Sequence, residues 1–314
     1  MASFSAEVKN ELSRTQDERP CCRAAELAAL MRMCASVAIG GGRGLGVNFT
    51  TENAAVARKT LTLIKESFQL KTEVVVSRGR RLKKHNVYMI RVVPAPMVTK
   101  LLTKIGLMES GGLNVAGDRK VLRRACCRHA YLRGAFLGGG SVSRPESGYH
   151  LELVASNYQI ASLLLWLCKK FYLPAGLTDR KNDYIVYLKD SDAITEFLRI
   201  VGAEEAADEF EVVRNVKGVR NQVNRLVNCE TANLQKTVDA ACRQVEKIRR
   251  IEAQQGLSEL PPALREAALL RLAHPEATLQ ELVALTEYRV GKSGMNHRLR
   301  KLEKIADALP GGTC

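Results

Sequence analysis

A chain of 314 residues with 46% hydrophobic content is long enough to bury a core and to divide into two or three domains. Its formal net charge of +15 argues for a polyanionic partner, a solvated basic surface being the alternative. No stretch approaches the roughly 20 apolar residues of a membrane span, and Met1–Lys9 lacks a hydrophobic signal core, so a cytoplasmic protein with no membrane partner is expected.

Phe4, Val8 and Leu12 predict a short amphipathic helix over 4–14 that docks on another element, and Pro20 closes this N-terminal arm, 1–19. The next segment, Leu27 to Ala35, is apolar and dense in small residues. Tyr131 to Ser141 has the same character and ends in three glycines. Gly and Ala place little between two backbones, so helices of this kind are built for close approach to a partner. Each follows a vicinal cysteine pair, Cys21-Cys22 and Cys126-Cys127, 105 residues apart.

That spacing marks a duplication. Val47 to Asn53, followed by the helical pattern Ala57, Leu61, Ile64 and Phe68, is matched by Leu151 to Asn157 with Ala161, Leu165, Cys168 and Tyr172 at an offset of 104. Further on, Val98 to Gly106 matches Ile194 to Gly202 at an offset of 96, which places a deletion in between. Repeat 1 is read as 20–107 and repeat 2 as 108–209. In the first, a glycine turn over 40–46 leads to a strand at 47–51, then a helix over 54–68 and strands near 72–76 and 87–93. The last two are joined by a tip carrying Arg78, Arg80, Arg81, Lys83 and Lys84 and no acid. A ribbon with a basic tip suits a phosphate backbone or a groove, a solvated charged loop being the alternative. The counterpart over 178–183 is shorter and contains Asp179 and Asp183.

Acidic residues over 204–211 close the duplicated part, and 210–260 is read as a helical connector. Leu234, Val238, Ala241, Val245 and Ile248, spaced 4, 3, 4, 3, predict a helix with one narrow apolar seam. Its Arg220, Asn221, Asn224, Arg225 and Asn228 offer phosphate contacts or a solvated face. Pro261-Pro262 opens a new helix with Leu264, Leu269 and Leu272 on its buried side. Thr278 and Glu281 form the pattern of a capping box. After a turn at 288–291, Ser293 is expected to cap a last helix whose apolar positions are Met295, Leu299, Leu302 and Ala306. Five basic residues, Lys292, Arg298, Arg300, Lys301 and Lys304, stand against the single acid Glu303. A short helix, a tight turn and a basic helix predict a helix-turn-helix at about 278–309, within a domain over 261–310, with a small salt-bridged bundle as the alternative. Ser293, Asn296, His297 and Arg300 are types that bond base edges, and Lys292, Arg298 and Lys301 suit phosphates.

Other patterns point elsewhere. Nine cysteines occur without a Cys-x-x-Cys, so no structural metal and no cofactor are expected, and the vicinal pairs are read as small packing residues in a reducing compartment. Gly291-Lys292-Ser293 has Thr at 286 where a phosphate-binding loop needs Gly. His85, His129, His150 and His274 are scattered, and Trp166 lies in a leucine run typical of core.

Two small-residue helices about a hundred residues apart, each followed by strands and a helix, resemble the monomeric LAGLIDADG homing endonucleases. The resemblance implies helices packed along a pseudo-twofold axis under a saddle of sheets facing DNA. In that family an acid before the final Gly of each helix holds the metal that activates water for phosphodiester cleavage. Those positions fall here on Cys34 and Gly139, neither of which supplies the oxygen a hard cation wants. The segments 3–12, 131–137, Asn224-Arg225, 228–233 and 292–300 are similar to those of one bacterial family, WhiA. This implies an α+β chain: a duplicated, degenerate LAGLIDADG-like (αββαββα) saddle followed by an all-α helix-turn-helix of sigma-factor region-four type. It further implies a non-enzymatic, nucleoid-associated regulator that binds double-stranded DNA and acts in cell division, chromosome segregation and, in filamentous actinobacteria, sporulation. Another transcription factor or RNA polymerase is the further candidate partner. An active endonuclease, and a scaffold whose saddle binds protein, are the alternatives.

Overall fold

The computed structural model describes residues 3–39, 44–78, 86–109, 112–114, 119–287 and 290–310. The chain forms two compact units, Met1–Gly218 and Val219–Cys314. Among the described residues no helix is long and apolar enough to cross a membrane.

The first unit opens with α1 (Phe4–Arg14), capped by the Ser3 hydroxyl, which accepts from the Ala6 amide. Phe4, Val8 and Leu12 are all buried. The arm docks as its pattern predicts: the Glu11 carboxylate accepts from the Glu205 and Ala206 amides, and Ser5 Oγ donates to the Val142 carbonyl. Repeat 1 comprises α2 (Pro20–Cys34), β1 (Ala35–Ile39), β2 (Leu45–Thr51), α3 (Ala54–Phe68), β3 (Thr72–Arg78), β4 (Asn86–Val92) and α4 (Pro96–Lys104). A small ribbon of β5 (Met108–Glu109) and β6 (Gly112–Leu113) and a 3₁₀ turn at Arg119–Leu122 lead to repeat 2. Its elements are α5 (Ala125–Gly139), β7 (Gly140–Val142), β8 (Leu151–Ala155), α6 (Tyr158–Lys170), β9 (Gly176–Arg180), β10 (Asp183–Leu188) and α7 (Ser191–Val201).

The duplication is visible in the sheets. Each repeat carries four antiparallel strands, in the order β1-β2-β4-β3 and β7-β8-β10-β9. Asn53 and Asn157, matched by the offset of 104, cap α3 and α6 through their side-chain oxygens. The hairpin β9–β10 turns on Lys181 and Asn182, both with positive φ (53° and 77°), the geometry that matches strand twist in a two-residue turn. The sequence assigns no strand between the first small-residue helix and the glycine turn at 40–46. The structure instead interposes β1, because Ala35–Ile39 finds its register against β2, a long-range pairing that local propensity does not report.

The helices α2 and α5 form the spine of this unit. Leu27, Ala28, Ala29, Leu30, Leu132, Ala135 and Phe136 are fully buried, as expected of helices apolar on all sides. Gly134 is required here: a Cβ on it would collide with the Glu26 carbonyl and stand 3.0 Å from the Ala29 Cβ. At Gly138 a Cβ would lie 2.6 Å from the Met33 Cβ.

The 52-residue α8 (Glu204–Gln255) begins in the first unit, and the acidic stretch 204–211 forms its first two turns. The second unit continues through a 3₁₀ turn at Leu257–Glu259 to α9 (Pro262–Ala273), α10 (Leu279–Ala284) and α11 (Lys292–Ala308). Ile248, Ile251, Leu260, Leu264, Ala267, Ala268, Leu282, Met295, Leu299, Leu302 and Ala306 make its core. The buried side of α9 differs from the expected one. Leu264, Ala267, Ala268 and Arg271 face inward at helical spacing, whereas Leu269, five residues from Leu264, is 52% exposed. The seam predicted on α8 is buried at Ala241 and Ile248 and exposed at Leu234 and Val238.

Candidate nucleic-acid interface

The turn before α10 is set by two devices. Thr278 Oγ1 accepts from the Glu281 amide while the Glu281 carboxylate accepts from the Thr278 amide, 2.6 Å away, completing the predicted capping box. That bond draws the Glu281 carboxyl below its usual range. The buried Arg271 donates to the Pro275 and Ala277 carbonyls, fixing the loop from α9; its burial lowers its pKa.

On α11, Met295, Leu299, Leu302 and Ala306 face the core, and the opposite side displays Lys292, Ser293, His297, Arg300, Lys301 and Lys304 to solvent. Asn296 is half-buried at the margin. Two residues depart from expectation. The N-cap is Gly291, not Ser293, which lies inside the first turn with an exposed side chain. Arg298, expected on a phosphate, is turned to the protein: its guanidinium lies 3.2 Å from Glu266 Oε2 and its side chain is 17% exposed. Glu266 Oε1 also accepts from Thr286 Oγ1 and the Glu287 amide at 2.7 and 2.8 Å. One carboxylate of α9 thus holds both the turn and the basic helix. Arg298 positions this motif.

Of the other basic candidates, Arg78 ends β3 with its side chain exposed, paired in register with Asn86. Arg80, Arg81, Lys83 and Lys84 lie outside the described residues, as does part of the glycine turn at 40–46. On α8, Arg220 and Arg225 are exposed together with Asn221, Asn224 and Asn228.

The positions that hold metal in LAGLIDADG nucleases do not fit one here. Cys34 ends α2 and donates from Sγ to the Leu30 carbonyl at 3.2 Å. Burial pushes its thiol up to about 11, so it is neutral at ordinary pH. The charge of Lys9, itself destabilised by burial, already bears on this spot. Gly139 ends α5 without a side chain, and a Cβ there would stand 2.7 Å from both Met33 Cε and the Val154 carbonyl. A soft neutral thiol and a blocked backbone position are not ligands for a hard cation. Glu26, the acid nearest in the first helix, is fully buried between Lys59 (3.5 Å) and Arg133 (3.4 Å). Burial raises its carboxyl while Arg133 and Lys59 oppose the shift.

Sequence reading kept the two vicinal cysteine pairs apart as packing residues. The structure brings all four together, with the Sγ atoms of Cys21, Cys22, Cys126 and Cys127 within 4.8 Å of one another. The signal was present in the duplication: one dipeptide at equivalent places on two helices that pair must converge.

Fold and site together define a degenerate LAGLIDADG-like duplication joined to a helix-turn-helix domain. Residues 20–108 match the WhiA N-terminal LAGLIDADG-like domain, 128–220 the WhiA LAGLIDADG-like domain, and 223–306 the WhiA C-terminal HTH domain. A probable cell division protein WhiA of Heliobacterium modesticaldum is 52% identical over 308 residues, covering 98% of this chain and 97% of that one. Its counterpart in Desulforamulus reducens is 50% identical over 313 residues, covering 99% and 97%. The crystal structure of full-length DUF199/WhiA from Thermatoga maritima shares the fold at 24% identity, with a TM-score of 0.57 and 98% of each chain covered. The chain belongs to the WhiA family.

Proposed function

We propose that the chain is a sequence-specific DNA-binding transcriptional regulator without nuclease activity. The observation that carries this reading is the face of α11 that leaves Lys292, Ser293, His297, Arg300 and Lys301 in solvent while its other side is locked into the core. Ser293, Asn296, His297 and Arg300 read base edges, and Lys292 and Lys301 hold phosphates. The thiol and the bare glycine at Cys34 and Gly139 support the non-enzymatic reading. Relatives named as probable cell division proteins support a role in cell division. Chromosome segregation and sporulation, and another transcription factor or RNA polymerase as a partner, rest on the family resemblance. If about six phosphates are neutralised, log affinity against log salt has a slope of roughly −5; a flat response overturns the proposal.

A second reading, in which the sheets bind protein and only the helix-turn-helix meets DNA, is favoured by acids on the strands. Glu73 on β3 lies 3.7 Å from Arg91 on β4, and Glu152 on β8 is bonded to Ser141 and His150. Comparing the DNA affinity of residues 1–210 with that of the full chain separates the two.

A further inference from the structure

The helices α2 and α5 begin alike. In each, the first helical residue, Pro20 or Ala125, is followed by two cysteines, and an arginine, Arg19 or Arg124, stands at the N-cap. The helices run side by side in the same direction. Their first turns meet at the cysteines, and their last turns meet where a Cβ on Gly138 would stand 3.6 Å from Cys34 Sγ. Four sulfurs are therefore gathered at the end of the spine opposite Cys34 and Gly139.

The spacing has chemical content. A tetrahedral ion with metal–sulfur bonds of about 2.3 Å holds its sulfurs about 3.8 Å apart. The Cys21 and Cys22 sulfurs are 4.0 Å apart, and no separation among the four exceeds 4.8 Å. A tetrahedron with edges of that upper length has its centre about 2.9 Å from each corner, so closure by roughly 0.6 Å per sulfur seats the ion. The same compactness excludes an iron–sulfur cluster, whose inorganic core spreads its thiolates further than one ion does.

Burial pushes the Cys22 and Cys127 thiols up, and the positive groups around the cluster act against that. Two helix N-termini converge, each bringing the positive end of its dipole. The N-cap arginines cross over: Arg124 Nη1 lies 3.8 Å from Cys21 Sγ, and Arg19 lies against Cys126. These four charges and dipoles offset the double negative charge that four thiolates around a divalent ion retain. Cys22 and Cys127 are buried, at 1% and 3% exposure, while Cys21 and Cys126 are partly open and provide the way in.

We propose that Cys21, Cys22, Cys126 and Cys127 form a structural site for one thiophilic divalent cation, zinc above all, that staples the N-terminal ends of the two repeat helices. Both repeats contribute equally, so the site exists only when they are paired. Binding replaces four thiol protons with one ion and releases them to solvent. This inference stands apart from the DNA-binding reading, since it concerns the opposite end of the helices from the degenerate nuclease positions and none of the residues of α11.

The test uses the full chain purified under reducing conditions without chelator. Elemental analysis should find about one zinc per chain. Anaerobic replacement by cobalt(II) should give the intense near-ultraviolet thiolate charge-transfer band and the visible bands of tetrahedral coordination. Cys21→Ser with Cys126→Ser should abolish both signals, and Cys34→Ser or Cys229→Ser should leave them. Because the double variant can fail to fold, the wild-type chain is also alkylated with and without a strong chelator. Peptide mapping should show these four thiols shielded until the chelator is added. Absence of stoichiometric zinc together with no cobalt band overturns the proposal, as does a band that survives in a folded double variant. A disulfide joining residues 21 or 22 to 126 or 127 in freshly isolated protein also overturns it, and makes the cluster a redox pair.

Discussion

Arg133 of α5 places Nε 3.4 Å from Glu26 Oε2 of α2 at a depth where Glu26 is wholly removed from water and Arg133 nearly so. Asp17 from the arm and Lys59 from α3 complete the cluster. A buried pair of this kind adds little net stability over an apolar replacement, yet removing one partner strands a charge and costs roughly 3–5 kcal/mol. Arg133→Met should therefore lose stability on that scale in urea denaturation. The sign with pH follows from burial, which raises the Glu26 carboxyl. A raised acid favours the folded state when protonated, so that contribution is present at low pH and is lost as pH rises toward the folded value. Removing Arg133 takes away an opposing cation and raises Glu26 further. The deficit of the variant should shrink as pH is lowered from neutrality, and a deficit that does not change with pH would refute the assignment.

Close approach of the two spine helices makes a second, contrasting pair of substitutions informative. A Cβ on Gly134 would meet the Glu26 carbonyl, and backbone cannot yield as a side-chain tip can. Gly134→Ala should cost about 3 kcal/mol, the upper end of the roughly 1–3 kcal/mol typical of overpacked cores, because the clash is with backbone. Gly218, inside α8 with nothing within 4 Å of its would-be Cβ, should respond in the opposite sense, gaining about 1 kcal/mol as Ala through helix propensity. Thermal melts of the two variants decide the matter, and a stable Gly134→Ala would mean the helices are further apart than described.

On α11 the two arginines should separate cleanly. Arg300 is exposed, so Arg300→Ala should cost about 1–3 kcal/mol of binding concentrated at one base position, with a uniform loss across sequences reassigning it to a phosphate. Arg298 is bound to Glu266, so Arg298→Ala should lower the melting temperature of the protein while leaving the salt slope of DNA binding unchanged. A reduced slope would return Arg298 to the phosphates.

What the sequence disclosed and what it hid divide along the range of the contacts involved. The capping box at Thr278 and Glu281 spans three residues and was readable, and the helices that Asn53 and Asn157 cap were located by the pattern repeated at one offset. The partner of Arg298 lies 32 residues away, and β1 takes its identity from pairing with β2. The gathering of Cys21, Cys22, Cys126 and Cys127 needed two separate readings to be joined, the duplication and the helix pairing. Leu269 and Ser293 were misplaced for a simpler reason: each is of the right type one or two positions from where the helix phase requires it.

The same helix packing bears on Cys34 and Gly139, the positions where LAGLIDADG nucleases carry their acids. Thr278→Ala would remove only a cap and cost about 1 kcal/mol, but at Cys34 and Gly139 the obstacle is space as well as chemistry. Restoring acids by Cys34→Asp should be tolerated poorly, since the thiol is half-buried and hydrogen-bonded within its own helix. At Gly139 a side chain must displace Met33 Cε and approach the Val154 carbonyl. The unmodified chain should leave supercoiled plasmid intact with magnesium or manganese, and the double acid variant should unfold at lower denaturant and still not cut. The neutral state of Cys34 gives an independent readout. Its alkylation should be slow at about pH 8 compared with the exposed Cys229 and Cys242, and should accelerate as pH climbs toward about 11. Rapid alkylation of Cys34 near neutrality would mean an ionised sulfur at the helix end, and with it a site able to bind metal after all.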